Sequence, residues 1–169
     1  MSLYIEWINR IKEKADEEWL TDSQREVYES ILSHWKAHPF VNLCGPSGSG
    51  RTFIARLLAK EHGYAYTHDI EEAPPDAAEV IVDDAQYSRT MRLVARAKGL
   101  GRVLLITSRP VREAMPRVEL ELDDKDVRQF QAVLANHCDI VFKETIPQGV
   151  DLAEIIREEV IERGEANVN

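Results

Sequence analysis

Gly45, Gly50 and Thr52, in the stretch "VNLCGPSGSGRTFIARLL", have the spacing G-x-x-x-x-G-[KR]-T, a pattern suited to holding phosphate. Glycines let backbone amides converge on an anion. The loop that would do so here runs through Gly45, Pro46, Ser47, Gly48, Ser49 and Gly50, and the helix expected after it adds the positive end of its dipole. Thr52 is positioned to give its hydroxyl to magnesium. Arg51 stands where such loops usually carry lysine, and a planar, forked guanidinium is not interchangeable with a compact ammonium at a tight site. Three outcomes follow: a nucleotide held in altered geometry, a nucleotide bound with slow or no hydrolysis, or a loop with only a structural role.

A second group of chemistry-bearing residues lies downstream. In "EVIVDDAQ" the apolar run Val80 to Val82 delivers two carboxylates, Asp83 and Asp84, to the end of an expected buried strand. Asp83 is suited to hold magnesium through its water, and Asp84 to polarise an attacking water, although aspartate reaches less far than glutamate would. Two solvated acids at a turn would give the same letters.

The elements that must position these residues follow from periodicity. Leu3, Ile5, Trp7, Ile8, Ile11 and Ala15 form an apolar stripe, and a second helix begins at "TDSQREVYESILSHW", where Thr21 and Gln24 have capping-box spacing. "FVNLC" reads as a buried strand closed by Gly45, and "RTFIARLLAKEHG" as a helix ending at Gly63. Then "YAYTHDI", "EVIVDDA", "RVLLITS" and "VELELDD" read as strands, with "SRTMRLVARAKGLG" a helix among them; "KDVRQFQAVLANH" and "DLAEIIREEVIERG" read as helices, the latter with a capping box of Asp151 and Glu154, and "EANVN" as a frayed end. The alternation predicts an α/β protein: a three-layer P-loop NTPase fold with a mostly parallel central sheet, N-terminal helices and a short C-terminal helical extension. One domain is expected over residues 1–169, with N-terminal helices at 1–38, the nucleotide-binding core at 39–122 and the extension at 123–169.

Composition narrows the class. The chain has 169 residues, 44% hydrophobic and 30% charged, which suits one domain with one sizeable core. No apolar run approaches the roughly 20 residues that span a bilayer, and Met1 to Arg10 lacks the order of a signal peptide, so no membrane partner and a cytoplasmic location are expected. Cys44 and Cys138 match no zinc or redox spacing and read as reduced thiols; His34 and His38 are four apart, but His38 precedes Pro39, where a helix should end. Net charge is −9, yet Arg89 to Arg117 holds eight basic residues against the single acid Glu113. Arg89, Arg92 and Arg96 fall on one side of a helical wheel, opposite Met91, Leu93, Val94, Ala95 and Ala97, and Arg112 and Arg117 follow. Solvated helix faces would explain these charges, as would a surface for an anionic partner. Nucleic acid through the 89–117 segment, an acidic protein and another copy of the chain all fit the second reading.

Taken in order, "GPSGSGRT", "VIVDDAQ" and "LLITSRP" resemble the Walker A, Walker B and sensor 1 segments of AAA+ ATPases, most closely the replication-initiator and helicase-loader branch, over roughly residues 40–125. The resemblance implies ATP or ADP with magnesium as cofactors, Thr107 or Ser108 at the sensor 1 position, and a nucleic-acid-associated assembly. Arg117 or Arg112 is nearest to the family's trans-acting arginine, although the surrounding signature is missing, and too few residues remain for a complete helical lid. With both catalytic positions altered, hydrolysis is expected to be weak or absent, a slow ATPase if the chain is an enzyme at all. The alternatives are a small-molecule P-loop kinase, against which the chain lacks an arginine-rich lid between residues 110 and 140, and a catalytically dead interaction scaffold.

Overall fold

Apolar runs too short for anything but strands alternate with amphipathic helices, and the chain folds accordingly. The structure, a computed structural model, describes residues 16–138 and, before them, Asn9; the Leu3 to Ala15 stripe, the Asp151 and Glu154 capping box, "EANVN" and the side chain of Cys138 lie outside the described residues. Helix α1 (Asp22–Ala37) starts on the expected capping box, with Thr21 Oγ1 accepting from Gln24 N and Gln24 Oε1 accepting from Thr21 N, and it ends at His38 ahead of Pro39. Strand β1 (Phe40–Cys44) leads through the glycine loop to α2 (Arg51–His62), which stops on Gly63. There follow β2 (Ala65–Thr67), β3 (Glu79–Val82), α3 (Thr90–Ala97), β4 (Arg102–Thr107), β5 (Arg117–Glu119) and α4 (Asp124–Cys138).

All five strands are parallel, in the order β2-β3-β4-β1-β5. Each sheet face carries its own core, which explains why the central strands read as continuous apolar runs. Val41, Leu43, Ile81, Leu104 and Ile106 pack under α1 and α2, against Ile31, Trp35, Ile54 and Leu58. Val80, Val82, Val103 and Leu105 face the other way, toward Met91 and Ala95 of α3 and the turn at Ile70 to Ala73. The three-layer arrangement is therefore present. Cys44 is free and fully buried beside the site, and burial pushes its thiol up, as befits an inert filler.

Two expectations need correction. Leu93, read as part of the packed side of α3, is 68% exposed, because the eight-residue helix turns only Met91 and Ala95 fully onto the sheet. Of "VELELDD" only Val118 and Glu119, preceded by Arg117, join the ladder; beyond them Leu120 N donates to Cys44 O at 2.8 Å and the chain leaves the edge.

Helix α4 is tied to the start of α1 by Lys125 and Gln129, which bond Asp22, and by a buried carboxylate. Asp126, 1% exposed, accepts from Ser23 N at 3.0 Å and from Asp123 N at 2.9 Å, capping the start of α1 from outside. Burial alone would push its carboxyl up, but the hydrogen bonds from Asp123, Thr21 and Ser23 to the charged form outweigh it and hold the pKa below the ordinary 3.8. A carboxylate with a lowered folded pKa stabilises fully above its unfolded pKa and loses that contribution as pH falls through the folded one. We predict that Asp126→Ala costs about 2 kcal/mol at neutral pH. The gap to wild type, read from urea midpoints, should narrow as pH drops below the ordinary carboxylate range; a gap independent of pH would assign the loss to packing instead.

Candidate functional site

Strand order decides what meets the loop after β1. Because β1 lies between β4 and β5, the loop at Gly45 to Gly50 emerges beside the carboxyl ends of both, in the position where parallel sheets gather ligands. Gly45 lies against β5: a β-carbon there would stand 2.4 Å from Leu120 O. Pro46 and Ser47 are exposed and Gly48 is half-buried. Gly50, at φ 94°, caps α2, and a β-carbon there would meet Gln24 Nε2 at 2.3 Å. That same amide donates to Ser49 O at 3.0 Å, so Gln24 closes the capping box of α1 and also holds the loop from behind. Sequence pattern showed the first role of Gln24 and not the second.

The inner side of the loop carries a polar group without a partner among the described residues. The first α-helical bond of α2 runs from Ile54 N to Gly50 O at 3.0 Å, which leaves the preceding amides at the positive end of the helix without intrahelical acceptors. Ser49 is 3% exposed, and its Oγ finds no hydrogen-bond partner among the described residues. A buried orphan hydroxyl is rare and marks a place where a ligand or water is expected.

Arg51 is half-buried, and its Nη1 donates to the main-chain carbonyl of Thr107 at the end of β4. The guanidinium thus crosses from the loop to the neighbouring strand end, a reach and a planar geometry that lysine lacks. Thr107 is buried, and its hydroxyl is spent: Oγ1 accepts from Asn42 Nδ2 at 2.9 Å and donates to Arg109 O at 2.6 Å. Ser108, next in the chain, is exposed and lines the cavity beyond. Asn42 is the residue that sequence reading missed. It sits 1% exposed in the middle of β1, with its Oδ1 accepting from Val111 N at 3.0 Å and its Nδ2 donating also to Leu105 O at 3.1 Å. The signal was one amide inside the apolar run "FVNLC".

Across the sheet, Asp83 is 4% exposed at the end of β3. Tyr66 OH donates to its Oδ2, and Asp84 N donates to its Oδ1 at 2.9 Å. Burial, with the charge and hydrogen bond of Asp83, pushes the Tyr66 phenol up, so it remains a donor. Asp84 is exposed and left-handed at φ 56°, a conformation aspartate tolerates better than most residues. Thr52 is exposed on the first turn of α2. The residues do not fit the magnesium site that the resemblance implies: the Asp83 carboxylate is buried, and each of its oxygens already accepts a bond. Among the described residues no group of three or more His, Cys, Asp or Glu is arranged to hold a metal, His34 and His38 included.

The basic residues divide. Arg89 and Arg112 line a cavity of about 550 Å³ at the carboxyl end of β4, together with Tyr87, Ser108, Arg109 and Glu113. Glu113 lies within 3.6 Å of both Arg89 Nε and Arg92 Nε and accepts from Tyr87 OH at 2.5 Å. Arg96 is exposed one turn along α3, and Arg117, 3.9 Å from Glu119, stands on β5 beyond β1, away from that cavity. The five arginines thus do not form one surface. No helix among the described residues is long and apolar enough to cross a membrane.

No known protein family and no curated protein matches the sequence. Among solved structures the chain is similar to AMPPCP-bound DnaA from Aquifex aeolicus, with a TM-score of 0.57 and 15% identity over 88% of this chain and 67% of that one. It is similar also to a DNA replication initiation factor, with a TM-score of 0.55 and 15% identity over 84% of this chain and 63% of that one. The chain therefore spans about two thirds of the length of these structures. A likeness at 15% identity is one of fold, and it agrees with the strand order, the glycine loop and the two-faced core: this chain has an α/β P-loop-like fold, a parallel five-stranded sheet with flanking helices.

Proposed function

We propose that this protein binds ATP or ADP on the loop from Gly45 to Thr52, hydrolyses it slowly or not at all, and acts as a nucleotide-responsive component of a nucleic-acid-associated assembly. The observation that carries the reading is the unpartnered Ser49 hydroxyl, buried in a loop that Gln24 ties down at the Ser49 carbonyl, ahead of the start of α2. The DnaA structure to which the fold is similar was determined with AMPPCP, which supports the same ligand class. Weak or absent hydrolysis is supported by the commitments of the other groups: Arg51 is bonded to the Thr107 carbonyl, the Thr107 hydroxyl to Asn42 and Arg109, and Asp84 is short and exposed. Arg89 and Arg112, which line one cavity, and Arg92, which shares Glu113 as a counter-ion with Arg89, are the proposed contact for an anionic partner, nucleic acid or acidic protein.

Isothermal titration with ATP and with ADP tests the reading. We expect saturable binding, no turnover above background, and a loss of about tenfold in affinity for Arg51→Ala, the effect of removing one charge beside the phosphates. Absence of both heat and thermal shift at millimolar nucleotide would leave only a scaffold. That second reading is favoured by the same Arg51 contact, since a guanidinium fixed on β4 stabilises the loop with no ligand present.

A further inference from the structure

We infer that the nucleotide at this site is bound without need of a divalent cation, because Tyr66 and the Asp84 amide occupy the Asp83 carboxylate that would hold one, with the Arg56 guanidinium stacked on the same phenol. The inference rests on the nucleotide reading above and names the form of ligand the site accepts: free nucleotide rather than its magnesium complex.

Thr52 and Arg56 are four residues apart on α2 and so lie on one side of it, one turn above the other. Arg56 is directed at β2: its guanidinium carbon lies 4.6 Å from the centre of the Tyr66 ring. Its Nε is buried and has no partner among the described residues. Tyr66 is paired with Ile81 in the parallel register of β2 and β3, which brings its hydroxyl to the Asp83 carboxylate at the end of β3. Arginine, phenol and carboxylate therefore form one connected chain between α2 and β3, with a cation at one end and an anion at the other.

A magnesium ion held in the usual way keeps several waters and touches the protein through an accessible carboxylate and a hydroxyl. Thr52 still offers the hydroxyl. Asp83 offers no accessible carboxylate, since it is 4% exposed with Tyr66 OH on one oxygen and Asp84 N on the other. A hydrated dication approaching it would have to displace a charge-assisted bond, with the positive Arg56 guanidinium already stacked on the phenol that makes that bond. Because the phenol is held well above its ordinary pKa, it remains a donor throughout the neutral range and does not release Asp83. The phosphates would then be compensated by the α2 amides and Arg51, which need no metal.

Calorimetric titration of the full chain with ADP and with ATP, once in EDTA and once in magnesium chloride, tests this. For the wild type we expect dissociation constants that agree within about threefold between the two buffers. Tyr66→Phe removes only the hydroxyl, frees Asp83 Oδ2, and should create a magnesium requirement, with binding at least about tenfold tighter in magnesium than in EDTA. Wild-type affinity that itself rises about tenfold or more with magnesium would overturn the inference and leave the nucleotide reading standing. A Tyr66→Phe protein as indifferent to magnesium as the wild type would overturn the assignment of Tyr66 as the group that excludes the ion. No binding in either buffer would sink the nucleotide reading and this inference together. The wild-type comparison needs no variant to fold.

Discussion

Gly45→Ala is expected to destabilise the protein by about 3 kcal/mol, the upper end for overpacking a filled site, and to abolish anion binding at the loop. The new methyl would stand 2.4 Å from Leu120 O and 3.3 Å from Ser49 Oγ. Leu120 cannot step aside cheaply, because its own N–H donates to Cys44 O at 2.8 Å, one residue before the substitution. Either β5 peels from β1 or the loop changes path, and each route moves Ser49 and the start of α2. The matched control is Gly63→Ala at the other end of α2. Gly63 has φ 71° with nothing within 4 Å of an added β-carbon, so that change should cost only the left-handed strain, about 1 kcal/mol. Urea denaturation of the two variants checks the contrast. Equal costs would mean that backbone conformation, and not the contact with β5, is what requires glycine at position 45.

The same contrast shows what the sequence could reveal. Glycine spacing and the apolar run before it made the strand–loop–helix turn legible, since both are local consequences of a strand feeding a helix. The alternation of "EVIV", "RVLLIT" and the helices between them likewise sufficed for a parallel three-layer fold. Strand order was not legible, and it governs the rest of the site. Only because β1 lies next to β4 does Arg51 meet the Thr107 carbonyl, and only because β2 pairs with β3 does Tyr66 reach Asp83. A motif records which residue types the loop needs; it carries no record of which distant backbone carbonyl or phenol will engage them. The Leu93 correction has a similar cause, for a helical wheel gives direction and not the width of the contact, and an eight-residue helix buries a narrower stripe than its pattern offers.

These contacts make the loop and the β4 turn a single mechanical unit. Arg51 links α2 to Thr107; Thr107 binds Asn42 and Arg109; and Asn42 reaches on to Val111, next to Arg112. A ligand drawing the guanidinium toward its phosphates would take a donor from the Thr107 carbonyl at the root of the turn that carries Ser108 to Glu113. The glycine loop and the arginine-lined cavity thus share Thr107.

Asn42→Leu is the second substitution with a large expected effect. Leucine has the same number of side-chain heavy atoms in the same branched arrangement, although it is bulkier, and it suits a buried strand, so hydrophobic burial would gain from the change. Against that stand the partners left behind. Val111 N would lose its acceptor, Leu105 O a donor, and Thr107 Oγ1 the amide that orients it, in a place where Asn42 itself is 1% exposed and water cannot substitute readily. Each buried polar group left unpaired costs about 1–3 kcal/mol, so two or three of them outweigh the gain from one side chain, and a net loss of about 3 kcal/mol follows. The loss should be accompanied by loosening of the 108–113 turn, seen as faster amide exchange at Val111 than elsewhere, because that amide is tied to the sheet only through Asn42 Oδ1. Should Asn42→Leu prove neutral, with exchange at Val111 unchanged, the turn would owe its position to the Arg51 contact and the Tyr87–Glu113 bond instead, and β1 would be merely a strand beneath the site.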